Sequence, residues 1–230
     1  MTTTDTLPDL SEAYRSLRGR VSALVQDAGD DACHAIAPAT PEWRVHDVLA
    51  HLVGITADIL AGRLDGVASD AWTGAQVRPR RDLPTAALIA EWDETGPQVE
   101  PMIPDFGAVA GQMVADASTH EHDIRDALGQ PGARDSDAVH IGSHWMAEIT
   151  GALHRDGGFG TLRVETDLWS ETFGDDPPAT TLRVSAFELL RAATGRRSAA
   201  QIAAFDWDGT PRPALVVMPI FVPRAEDFDG

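Results

Sequence analysis

Cysteine is nearly absent: Cys33 stands alone among 230 residues. An internal disulfide is therefore excluded, and the count fits a reducing compartment. A lone cysteine is usually a small buried hydrophobe, and Cys33 is read as one. Long apolar runs are missing too. The longest, from Ala214 to Val222, is interrupted by Pro219 and is far too short to span a bilayer. Met1 to Asp9 is polar and acidic, not basic and then apolar, so no secretory leader is expected. Positive charge is scarce: 18 Lys+Arg against 36 Asp+Glu give a formal net charge of -18. That excess repels phosphate backbones and anionic headgroups, so neither nucleic acid nor membrane is expected as a partner. No internal repeat, low-complexity tract or coiled-coil pattern is visible. The expectation is a soluble, cytoplasmic protein with an ordinary hydrophobic core.

Apolar residues at helical spacing define most of the first half. Leu10, Tyr14, Leu17, Val21, Leu24 and Val25 predict a first helix that ends at Gly29-Asp30-Asp31. Val45, Val48, Leu49, Leu52, Val53, Ile55, Ile59, Leu60 and Leu64 predict a second, closing at Gly66, with an apolar stripe wide enough for a central position. Residues 67–82 read as a long surface loop carrying Arg78, Arg80 and Arg81. A third helix starts near Pro84, runs through Leu88, Ile89 and Trp92, and is expected to break near Gly96-Pro97. A fourth is expected from about Phe106 to Leu128, stopped by Gly129-Gln130-Pro131-Gly132.

Beyond that breaker the pattern changes. Ala138 to Leu153 and Phe187 to Ala193 read as helices, the latter capped by Gly195, whereas residues 161–166 and 180–185 alternate as half-buried strands do. Phe205 to Gly209 and Ala214 to Val217 suggest short strands or turns. The expected fold is an antiparallel four-helix bundle over residues 1–132 followed by a smaller α+β domain over residues 133–230. Bundles of this kind commonly build metal sites from side chains on facing helices.

Asp116 and His120 are four residues apart in a helical context, which places both on one face. His51 lies inside the apolar pattern of the second helix, where an imidazole needs a partner. The three are read as ligands of one divalent metal, because two imidazoles, a carboxylate and an open fourth position make a catalytic zinc site. Spacing alone leaves a solvated face or a helix-stabilising pair open for Asp116 and His120, and a hydrogen-bonded core histidine for His51. His140, His144 and Glu148 form a competing set on one later helix. Three ligands on successive turns of one straight helix span about 12 Å, too far for one ion. Asp47, one turn before His51, and Asp123, three residues after His120, are candidates for fixing imidazole tautomers, or else plain surface carboxylates. His46 is expected near the surface, and His122 points away from His120.

The same segments resemble a known family. Trp43-Arg44-Val45 with Asp47-Val48-Leu49-Ala50-His51-Leu52, Trp72-Thr73 with Gln76-Val77 and Arg80-Arg81, and His120-Glu121-His122-Asp123-Ile124-Arg125 with Ala127-Leu128-Gly129 look like the mycothiol-dependent maleylpyruvate isomerase family, within the DinB-like helical-bundle superfamily. Glu188-Leu189-Leu190-Arg191, Thr194 to Ser198 and Asp206-Trp207-Asp208-Gly209 extend the likeness into the second domain. The resemblance implies a metal-binding bundle followed by a sterol-carrier-like α+β module. It also implies a metal, usually zinc, on a histidine of the second helix and on a carboxylate and a histidine of the fourth, which match His51, Asp116 and His120. The isomerase pattern has glutamate where this chain has Asp116, a carboxylate drawn back by roughly 1.5 Å.

The chemistry implied is that of a low-molecular-weight thiol, mycothiol, held by the metal as thiolate and attacking a small electrophile such as maleylpyruvate. The outcome is isomerisation if the thiol leaves again and S-transfer if it stays. Arg78, Arg80, Arg81 and Arg125 are candidates for holding carboxylates of thiol or substrate, since a guanidinium fork matches that group; surface ion pairing is the plainer role. The alternative function is a non-catalytic carrier of a small apolar ligand, with a structural metal or none.

Overall fold

A computed structural model describes residues 6–230. The reading of Met1 to Asp9 therefore falls partly outside the described residues. The chain forms nine α-helices and four strands among those residues, with 3-10 turns at Arg78–Arg80 and Glu100–Val109. None of these helices is long and apolar enough to cross a membrane.

The chain divides into two compact units. One comprises Leu10–Met113 and His120–Gly132; the other comprises Ala133–Gly230 with Val114–Thr119. The first unit is helical. Helix α1 (Leu10–Ala32) buries Tyr14, Leu17, Val21 and Val25, and Gly29 at φ 78 interrupts it where the sequence placed its end. Helix α2 (Val45–Ala61) is buried along most of its length. It stops at Gly62 and not Gly66, because Gly62 adopts the left-handed cap conformation that glycine tolerates best.

Residues 67–82 are not the open loop expected. Ser69 accepts a hydrogen bond from the Trp72 amide and caps a helix α3 (Asp70–Val77). Helix α4 (Thr85–Val99) also departs from expectation, since it runs through Gly96-Pro97 without a break. Tertiary pairing holds it: Gly96 lies flush against the Arg18 side chain, and the buried Glu100 beyond it takes hydrogen bonds from Arg15 and Arg18 of α1, each at 2.9 Å. Helix α5 (Ala110–Ala127) follows, and Gly129 at φ 61 ends that run. α2 packs on α3 and α4, and α1 on α4.

The second unit is α+β. Helix α6 (Asp137–Asp156) precedes strands β1 (Leu162–Glu165), β2 (Ser170–Phe173) and β3 (Thr180–Arg183), then α7 (Ala186–Ala193), α8 (Ala199–Ala203), β4 (Asp206–Asp208) and α9 (Pro213–Val216). The sheet order is β2-β1-β3-β4, with β1 and β3 parallel and both outer pairs antiparallel. Alternation in β1 puts Leu162 and Val164 into a core with Trp169, Phe173, Leu182, Leu189 and Ile202. On the other face Glu165 takes hydrogen bonds from Arg163 and Arg183. Of the strand or turn expected at 214–217, the structure has a helical turn (Pro213–Val216), which a proline at the first helical position favours, and Val217 is extended.

Candidate metal centre

His51 and His120 are both buried, and their rings meet edge to face with centroids 5.2 Å apart. His51 sits mid-way along α2, whose apolar stripe carries it inward, and His120 sits on α5. Asp116 lies one turn before His120 on the same helix. One ligand atom from each of His51, Asp116 and His120 comes within 4.8 Å of the other two. Donors bonded to one zinc at about 2.0–2.2 Å stand no more than about 4.4 Å apart, so small side-chain rotations suit this donor set to a divalent ion. Two neutral imidazoles and one carboxylate would leave such a dication with a net positive charge. The aspartate does not keep the set from gathering, although its carboxylate is shorter than the glutamate of the isomerase pattern.

Each imidazole is tied at its other nitrogen. His120 Nδ1 is 3.1 Å from Asp123 Oδ2, and Asp123 is fully buried. His51 Nδ1 is 2.6 Å from Gln76 Oε1 on α3. Two indoles line the pair: Trp43 meets His51 edge-on at 5.4 Å and stacks on His120 at 5.9 Å, while Trp72 meets His51 edge-on at 6.4 Å. Rings on both sides of an imidazole pair limit the water that reaches it.

Asp47 is placed differently from Asp123. At the third helical position of α2 it accepts a hydrogen bond from the Arg44 backbone amide and two from the Arg44 guanidinium, all at 3.0 Å. Burial alone would raise its pKa, but these bonds prevail and hold it below the usual carboxylate value. Its partner is the helix end, not His51. His46 is buried, not near the surface, with Nε2 2.7 Å from the Leu83 carbonyl. Cys33 is fully buried, and burial pushes its thiol pKa up.

The arginines separate into two pairs. Arg80 is buried and bonded to Glu91 and to the Gln76 carbonyl, and Arg125 is bonded to Glu121 and the Gln130 carbonyl. Arg78 and Arg81 are exposed. The competing set does not gather: His144 Nε2 pairs with Glu171 at 2.6 Å, and among the described residues only His51, Asp116 and His120 group as metal donors. Gln76 and Trp43 carried no functional signal beyond their place in the resemblance. The Ser69-Asp70 start of α3 was the cue that could have put Gln76 on a helix facing His51.

Residues 14–125 match the family model of the mycothiol maleylpyruvate isomerase N-terminal domain. The matched stretch is just under half of the chain. It contains His51, Asp116, His120 and Gln76, and the resemblance first read from the motifs around His51 and His120 is shown by it. The fold is similar to two solved structures of mycothiol-dependent maleylpyruvate isomerase. One has a TM-score of 0.53 at 16% identity; the other, a point mutant, has 0.55 at 14%. Each likeness covers 85% of this chain and 92% of the isomerase, so it extends into the α+β unit as well as the helical one. No curated protein matches the chain.

Proposed function

We propose that this chain is a metal-dependent enzyme that uses mycothiol to attack a small electrophile such as maleylpyruvate, as an isomerase or an S-transferase. The observation that carries the reading is the convergence of His51, Asp116 and His120 within the stretch that matches the mycothiol maleylpyruvate isomerase N-terminal domain. With Nδ1 of each ring bonded elsewhere, Nε2 of His51 and of His120 and a carboxylate oxygen of Asp116 would be the ligand atoms. A divalent ion, with zinc the best match to these donors, would supply the positive charge that favours thiolate over thiol.

The chain's own groups set up the rest. Gln76 and Asp123 hold the two imidazoles from behind, and Trp43 and Trp72 shield them from water. The thiolate sulfur forms a bond to an alkene carbon conjugated to a carbonyl, and the alkene's electron pair moves to the carbonyl oxygen. The resulting single bond rotates. Expulsion of sulfur then restores the double bond and returns the thiol, whereas protonation of the adduct yields the S-transfer product. Arg78 and Arg81, exposed and near α3, are the better candidates for a substrate or thiol carboxylate, because Arg80 and Arg125 are committed to Glu91 and Glu121.

Metal content by mass spectrometry tests the site, comparing wild type with His51→Ala on protein purified without an affinity tag. Turnover of maleylpyruvate with and without mycothiol tests the reaction. About one equivalent of metal, lost in the variant, together with thiol-dependent turnover, is the expected result. A wild type that takes up no zinc overturns the metal site, and binding of apolar ligands without use of thiol moves the function to a carrier.

A further inference from the structure

Gln76 is almost wholly buried, and its amide bridges two groups of different kind. Its Nε2 lies 2.9 Å from Asp58 Oδ2, and its Oε1 lies 2.6 Å from His51 Nδ1. Asp58 is also held, since Arg63 Nε donates to its Oδ1 at 2.8 Å. The polarity of this chain of bonds is fixed from the Arg63 end. Arg63 only donates, and a carboxylate paired with it only accepts. The Gln76 NH₂ must therefore face Asp58, which turns the Gln76 carbonyl oxygen to His51. An oxygen there accepts, so His51 Nδ1 must carry a proton, and in the neutral ring the lone pair falls to Nε2. Free neutral histidine in water prefers the opposite tautomer, with the proton on Nε2. The Gln76 oxygen works against that preference.

A steric feature makes the bridge possible. A Cβ added at Gly54, one turn after His51 on α2, would stand 2.4 Å from Gln76 Cβ. Gly54 is the gap that lets α3 approach α2 closely enough for the amide to reach the ring.

We propose that Gln76 is a positioning residue that sets the tautomer and ring orientation of His51, with Asp58 and Arg63 fixing the amide and Gly54 making room for it. The importance of that role for metal binding rests on the function proposed above; the tautomer itself does not. Gln76 differs in kind from Asp123. His120 is backed directly by a carboxylate, whereas His51 is backed by a neutral amide that keeps the Asp58 charge one residue away. Partners that orient a metal-ligating histidine typically account for 10–100-fold in metal affinity.

The test uses the full chain with labelled histidine. Long-range proton–nitrogen NMR of the metal-free protein, at a pH where the imidazoles are neutral, reads which nitrogen of His51 carries the proton. Wild type is expected to show the proton on Nδ1, and Gln76→Leu to move it to Nε2. Gln76→Glu, which keeps an acceptor toward His51, is expected to retain the wild-type tautomer even if Gln76→Leu does not fold. Zinc affinity by chelator competition is expected to fall about 10–100-fold in Gln76→Leu and less in Gln76→Glu. A wild-type His51 protonated on Nε2 overturns the proposal, as does a Gln76→Leu protein with unchanged tautomer and affinity. Wild type with the Nδ1 proton and no zinc uptake supports the role of Gln76 and overturns the metal reading instead.

Discussion

Asp123 Oδ2 stands 3.1 Å from Nδ1 of His120, three residues earlier on the same helix, and the carboxylate has no exposed surface. A carboxylate at this nitrogen fixes the proton on Nδ1 and leaves Nε2 as the donor. Asp123→Asn keeps the shape but removes the charge, and its amide can turn a donor toward the ring. Zinc affinity is expected to drop about 10–100-fold, measured by chelator competition. Unchanged affinity would show that the pair serves packing alone.

Glu121, next to His120, is fully buried between two arginines. Arg20 of α1 reaches it with two hydrogen bonds at 2.9 and 2.7 Å, and Arg125 adds two more at 3.0 and 2.9 Å. The carboxylate thus ties α1 to α5. Removing one partner of a buried ionic group leaves charges without compensation, so Glu121→Ala is expected to cost about 3–5 kcal/mol in urea unfolding. A cost below about 1 kcal/mol would class the contact with exposed ion pairs.

Asp47 and Asp123 show where sequence reading reaches and where it stops. The long helices were legible because their apolar positions repeat at helical spacing, and that placed His51 inward and put Asp116 and His120 on one face. Asp47 and Asp123 looked equivalent, each about one turn from an imidazole. What separates them is local competition: Asp47 lies at a helix start and is taken by the Arg44 backbone and side chain, while Asp123 lies mid-helix, where no free amide competes. Gln76 was illegible as a functional residue for another reason. Its role depends on a contact between helices 25 residues apart in sequence, which no spacing rule encodes. Strand β2 and helix α8 were missed because four or five residues carry too little periodicity, and Pro97 misled because tertiary pairing of Glu100 overrode its breaking tendency.

In the α+β unit, Gly151 on α6 is where the helix meets β2. A Cβ there would come within 2.3 Å of Phe173 Cβ and 2.8 Å of its Cγ. Phe173 is buried in the core with Trp169 and Leu162, so it has little room to retreat. Gly151→Ala is expected to destabilise the protein by about 1–3 kcal/mol despite the better helix propensity of alanine. Thermal unfolding checks it. A gain in stability would mean that β2 yields easily at this contact.

His154, near the end of α6, is fully buried, with Nδ1 3.0 Å from the Thr150 carbonyl. Burial pushes its pKa down and the nearby Arg212 charge adds to this, while the Thr150 carbonyl works the other way. The folded value is therefore below the ordinary imidazole value of about 6.5. As pH falls below that ordinary value, the unfolded chain takes up a proton that the folded chain resists. Stability contributed by the neutral ring is thus fully present above about 6.5 and is lost as pH falls through the folded pKa. His154→Leu removes this titration and keeps an apolar side chain in the core. The urea midpoint of wild type minus that of the variant is expected to shrink, or change sign, from neutral to mildly acidic pH. A difference that stays constant across that range would mean that His154 titrates alike in the folded and unfolded chain, and that its burial imposes no acid sensitivity.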